Sequence, residues 1–249
     1  MNSITNFKKN STQNNSPLPA EEQADMLRRE LERLSETDFQ KFSSGLVPGE
    51  VKMLGVRLPK LREIAKQLAK GDWETYLACA RDDSMEEIML QGMVLGYVRT
   101  PFFRKRPLLE QFIPKIRNWS LCDSVCASLK FPPSEKEEVW QFLKKYLSSE
   151  KEYDIRFGVV MILDHFIEEN YLQEIFQIFN KIKHDGYYVK MAVAWAVSVC
   201  FRRFKPETIN YLTSCQLDNW TYNKSLQKII ESRYSSPEEK ELMRSMKRT

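Results

Sequence analysis

Apolar positions recur at helical spacing along almost the whole chain. In residues 20–34 (AEEQADMLRRELERL), Met26, Leu27, Leu31 and Leu34 fall on one stripe with charges elsewhere, the pattern of an amphipathic helix. Residues 58–70 repeat it with Leu61, Ile64, Ala65 and Leu68 on the inner face. Pro59 sits in the first turn there, where a missing N–H costs nothing. Between these two stretches Gly45, Pro48, Gly49 and Gly55 break the period, leaving room for one short helix around 38–42. Further on, Asp72 caps a helix over 73–81, and Ser84 with Glu87 forms a capping box opening a run to 99. Residues 104–116 follow, interrupted by Pro107 and Pro114, and then 119–129, which Pro132 and Pro133 stop. Ser134 with Glu137 opens a helix to 147, and helices over 154–168, 172–182, 188–203, 206–214, 223–233 and 237–247 complete the chain. No stretch alternates apolar and polar residues with β-branched enrichment, so the pattern predicts an all-α protein without a sheet.

The helices are joined by short turns, and their pairs step at a near-constant interval. Trp119 to Arg156 is 37 residues, and Arg156 to Trp195 is 39. That period suits a HEAT-like helical-repeat solenoid, whose stacked units leave a concave face for an extended ligand. The expected organisation is a disordered polar tail over residues 1–19 (MNSITNFKKNSTQNNSPLP) followed by a single repeat domain over 20–249.

Composition agrees with helix and narrows the function classes. Glycine is scarce at 8 in 249 residues, whereas an all-β chain needs many turns. An apolar fraction of 42% can build a core without metal or disulfide. The five cysteines, Cys79, Cys122, Cys126, Cys200 and Cys215, form no CxxC pair, and four lie in apolar helical runs. They read as reduced thiols of a cytoplasmic protein. Cys122 and Cys126 are four apart, but His165 and His184 are distant in the chain, which disfavours a zinc site. The longest apolar run, 191–201, is broken by Ser198 and falls short of the ~18–20 residues of a membrane span. The tail has no apolar signal core. A net charge of +4 permits an anionic partner without demanding one.

The common catalytic signatures GxGxxG, GxxxxGK[ST], HExxH and GxSxG are all missing, and two histidines leave little scope for His-based chemistry. His165, inside an apolar helix, reads as structural. Cations interleaved with aromatics are the remaining signal. RTPFFRKR, residues 99–106, carries four cations and two Phe, and Lys144, Lys145, Lys190, Arg202, Arg203 and Lys205 lie near helix ends. These are either a phosphate-binding stripe or an ordinary solvated surface.

One pair stands apart. In NWSLCDSVCASL, residues 118–129, Trp119 and Asp123 are four apart and so share a helix face. A bulky aromatic beside a carboxylate is a poor core pair. It suits a cleft that receives a cationic ligand, and Arg156 and Trp195 on later helices are matching side chains.

The segments LGVRLPKLREIAKQLAK, EEIMLQGMVLGYV, NWSLCDSV, IRFGVVMIL and YYVKMAVAWAVSVCF, spread over residues 20–233, resemble the DNA alkylation repair family of HEAT-like-repeat DNA glycosylases. The resemblance implies a monofunctional base-excision hydrolase that cleaves the N-glycosidic bond of cationic N3- and N7-alkylated purines in duplex DNA, and a monomer is expected. It implies no metal, no cofactor and no flipping of the lesion out of the duplex. By the match, Asp123 is the catalytic carboxylate, Trp119 and Trp195 are the cleft tryptophans, and Arg156 is the cleft arginine, with Lys190 and Arg62 as further DNA contacts. Such a purine is already a good leaving group. A fixed carboxylate can steady the oxocarbenium-like sugar and orient a water. The indoles can pack on the deoxyribose and attract positive charge, and Arg156 can hold a phosphate. Two positions depart from the active branch of the family. Its N-terminal DNA-contacting helix is replaced here by Gly45-Leu46-Val47-Pro48-Gly49, and an Arg three residues after the second Trp is Ser198. Those departures keep two alternatives open: a catalytically silent binder of damaged or branched DNA, and a protein-binding HEAT scaffold.

Overall fold

The computed structural model describes residues 20–47 and 52–249, in which fourteen α-helices and no strand form the regular structure. This is the all-α helical-repeat fold the periodicity predicts. The polar tail expected over 1–19, and Pro48 and Gly49, lie outside the described residues. Two compact units divide the chain. The first, up to Glu135, holds α1 (Ala20–Arg33), α2 (Thr37–Ser44), α3 (Leu58–Leu68), α4 (Trp73–Cys79), α5 (Met85–Tyr97), α6 (Phe102–Phe112) and α7 (Trp119–Ser128). The second, Lys136–Thr249, holds α8 (Lys136–Leu147), α9 (Glu152–His165), α10 (Glu169–Lys181), α11 (Tyr187–Arg203), α12 (Lys205–Ser214), α13 (Asn219–Glu231) and α14 (Pro237–Ser245).

In the first unit α5 packs on α3 and α7, and its core is closed on nearly every side. Two glycines one turn apart permit that closeness. A Cβ on Gly96 would lie 2.6 Å from the main-chain carbonyl carbon of Ser128, and one on Gly92 would strike Val125 and Phe112. The backbone of α7 is thus seated directly against α5. In the second unit α9 packs on α8 and α11, and α11 on α13. Ile155–Leu163 of α9 is continuously buried, Gly158 making room for Leu147.

The caps follow the sequence in part. Asp72 accepts from the Thr75 amide at 3.1 Å and Ser236 closes a full capping box with Glu239. The box expected at Ser84 is only half formed. Ser84 accepts from the Glu87 amide, but the Glu87 carboxylate does not return to the cap. Instead it takes the Ser84 hydroxyl at 2.8 Å and Arg28 of α1 at 3.0 Å, 4% exposed. The charge of Arg28 is what makes this burial tolerable. Pro107, expected to interrupt its helix, lies inside α6. It forfeits only the bond to the carbonyl of Phe103, a residue on the exposed side.

Glu86 is buried for another reason. Its carboxylate accepts from the amides of Leu54 at 2.9 Å, Gly55 at 2.7 Å and Val56 at 3.2 Å. Three backbone donors replace water around one charge and pin the strap before α3 to the start of α5. Gly55 holds φ +93°, where a side chain would be strained and would collide with Gln40 and the Glu36 carbonyl.

Candidate functional site

α7 begins at Asn118, whose buried side chain accepts from the Leu121 amide at 2.9 Å. Leu121, Cys122, Ser124, Val125, Cys126 and Ser128 of α7 are buried. What remains toward solvent includes Trp119 and Asp123, both half-buried and one turn apart. An indole and a carboxylate therefore sit together on the open face of a helix whose other face is fixed against α5. The Trp119 indole N–H donates to the main-chain carbonyl of Leu46 at 3.1 Å. The turn after α2 thus reaches the candidate site. α2 itself is eight residues long with no buried residue, and Phe42 and Leu46 are exposed. Arg62, on α3, is half-buried and makes no hydrogen bond or ion pair with another described residue.

The remaining candidates belong to the second unit. Arg156, in the first half of α9, is only 5% exposed. Its guanidinium donates to the Tyr188 carbonyl at 2.7 Å and lies 5.9 Å over the Tyr188 ring. A buried guanidinium held this way is a fixed positive charge rather than a mobile surface cation. Trp195 is half-buried on α11, two turns beyond Tyr188 and on the same face. Ser198 donates its hydroxyl to the Trp195 carbonyl at 2.7 Å. Lys190 pairs with Asp185 at 3.1 Å and lies 3.8 Å from Asp218. Asp218 caps α13 through Thr221; burial opposes its ionisation, but the Thr221 bonds and the Lys190 charge outweigh it and hold its carboxyl below the usual range.

The basic run at 99–106 is not a stripe of free cations. Lys105 is 3% exposed and donates to the Lys130 carbonyl at 2.9 Å; burial pushes its amine below the ordinary lysine value, against the pull of Glu135. Arg104 and Arg106 lean on Glu74 and Glu110. Burial drives the Cys200 thiol up to about 12, which leaves it inert. His184 is structural, its Nδ1 accepting from the Gly186 amide at 2.9 Å while Nε2 lies 3.2 Å from the Glu150 carbonyl.

Sequence reasoning missed the residues that support the site: Asn118, which starts α7, Gly92 and Gly96, which seat it, and Tyr188, whose carbonyl holds Arg156. Asn118 could have been found as an N-cap residue just before an apolar run. The other three depend on contacts far along the chain.

No curated protein matches this chain. Among the described residues no helix is long and apolar enough to cross a membrane. A family model described as DNA alkylation repair enzyme matches residues 27–245, from the first core leucine of α1 to the last residue of α14, so the chain belongs to the DNA alkylation repair enzyme family.

Proposed function

We propose that this protein is a monofunctional DNA glycosylase that releases cationic N3- and N7-alkylated purines from duplex DNA without flipping them. The observation that carries the reading is the placement of Trp119 and Asp123, both half-buried, on the face of α7 turned away from α5, in a chain whose family acts in alkylated-DNA repair. The purine leaves with the electrons of the C1′–N bond, which neutralises its ring. The deoxyribose is left as an oxocarbenium-like cation. Asp123, one turn beneath the Trp119 indole, stabilises that cation and orients the water that adds at C1′. Trp119 and Trp195 pack against the sugar. Arg156 supplies a fixed positive charge for the phosphate, with Lys190 and Arg62 as outer backbone contacts. A leaving group already charged needs neither a strong general acid nor a cofactor.

Incubation with duplex DNA containing 7-methylguanine tests the reading by the appearance of free base. Release is expected from the wild type and reduced at least about 100-fold in Asp123→Asn, which keeps size and loses charge. Equal release by the two proteins would remove Asp123 from the reaction.

A second reading has support of its own. Ser198 stands where the active branch has an arginine, its hydroxyl turned to the Trp195 carbonyl, and α2 is short with no buried residue. A binder of damaged or branched DNA without turnover fits these features. Salt-dependent binding with no base released by the wild type is its signature.

A further inference from the structure

The second unit carries an aromatic ladder that the reaction above does not use. Tyr153, the second residue of α9, stacks on Tyr188 with centroids 5.9 Å apart. Tyr188 meets Tyr187 edge-on at 5.1 Å, and Tyr187 meets Trp220, near the start of α13, at 5.6 Å. Its far end is open: Tyr187 is 53% and Trp220 41% exposed. Large aromatics so exposed are a poor choice for a surface with nothing to bind.

A cation follows three of the four aromatics by one turn: the buried Arg156 after Tyr153, Lys190 after Tyr187 and Lys224 after Trp220. Lys190 is engaged by Asp185 and Asp218, but Lys224 makes no ion pair or hydrogen bond with another described residue. Lys228 lies one turn past Lys224 on the same face; burial lowers its amine first, then the charges of Lys224 and Arg156, with Glu231 opposing. Open aromatic rings beside the Lys224 ammonium fit unpaired bases and the phosphate that joins them. Paired bases in a duplex bury their faces and cannot use such a ladder.

We propose that the open end of this ladder, Tyr187 and Trp220 with Lys224, binds unpaired nucleotides, so that the preferred substrate is duplex DNA adjoining a single-stranded segment. The proposal rests on the DNA-binding part of the function proposed above. Its ligand is a single-stranded tail, not a peptide, because unpaired bases match the open rings and Lys224, which pairs with no described acid, is left for a phosphate.

Fluorescence anisotropy with the full-length protein tests it, using a blunt labelled duplex and the same duplex with a single-stranded tail of about eight nucleotides. Tailed DNA is expected to bind more tightly than blunt DNA. Trp220→Ala and Tyr187→Ala are expected each to weaken tailed binding about tenfold and to leave blunt binding unchanged. Trp220→Phe, which keeps a ring, should retain most of the preference. Lys224→Ala is expected to lower the salt slope for tailed DNA by about one. Thermal melts confirm that each variant is folded. Equal binding of blunt and tailed DNA by the wild type, or tailed binding unaltered in both alanine variants, overturns the proposal. Base release from a blunt alkylated duplex is read in parallel. Release without tail preference sinks the ladder and leaves the glycosylase reading standing. Tail preference without release does the reverse. Failure to bind any DNA at low salt overturns both in favour of a protein partner.

Discussion

The indole N–H of Trp119 and the carbonyl of Leu46 are joined by a 3.1 Å hydrogen bond across 73 residues of sequence. Through it, a segment that buries nothing in α2 is tied to the residue proposed to face the sugar. Trp119→Phe keeps an aromatic face and removes the donor. Amide hydrogen exchange over residues 37–47 is expected to quicken in that variant, with a stability change near 1 kcal/mol. Unchanged exchange there would show that the bond does not hold the segment.

Arg156 is expected to matter to folding as well as to DNA. Arg156→Met keeps most of the volume but removes a charged donor from the Tyr188 carbonyl. The loss should be about 1.5–3 kcal/mol, read as a lower urea midpoint at constant slope. A variant as stable as the wild type would mean that the guanidinium is held there at no net gain.

Most of the helical architecture was legible in the sequence, because amphipathic spacing and Ser or Asp caps are local signals. All fourteen helices were anticipated, with the ends displaced by a few residues. α13 starts at Asn219 rather than 223 because Asp218 caps it, accepting from the Thr221 amide at 3.1 Å. Glu87 reads as the acid of a capping box and Glu86 gives no local signal, yet both are buried. Their partners, residues 54–56 and Arg28, lie about 30 and 59 positions away, and no window around the helix contains them. That Trp119 and Asp123 share one face of α7 follows from their four-residue spacing. The burial of Arg156 was not legible, because the carbonyl that holds it comes from a helix 32 residues on.

The Glu86 clamp can be tested directly. Glu86→Ala strands three backbone donors and is expected to cost at least about 3 kcal/mol. Glu86→Gln presents one carbonyl oxygen in place of two and should fall between the two proteins in chemical denaturation. Gly55→Ala should also destabilise, by about 1–2 kcal/mol, from the positive φ and the crowding at Gln40.

Asp218 sets a pH dependence whose sign is fixed. Its carboxyl titrates lower in the folded protein than in the unfolded chain. The stabilisation is therefore complete above the ordinary aspartate value near 4 and is lost as pH falls through the lower folded value. Asp218→Ala is expected to cost about 1 kcal/mol at neutral pH. The gap between the variant and the wild type should narrow in melts as pH falls below the ordinary aspartate value. A gap independent of pH would assign the effect to packing instead.

One arrangement runs through α7, α9, α11 and α13: an aromatic in the first or second position and a charged side chain one turn later. In α9, α11 and α13 that charge is Arg156, Lys190 and Lys224; in α7 it is Asp123. Three of these helices carry a cation there, and one has its polarity inverted. On the function proposed above, the acid of α7 is repelled by phosphates and compatible only with a part of the ligand that turns positive. Selectivity for an alkylated, electron-poor nucleotide would then come from a single reversal of sign at the start of one helix.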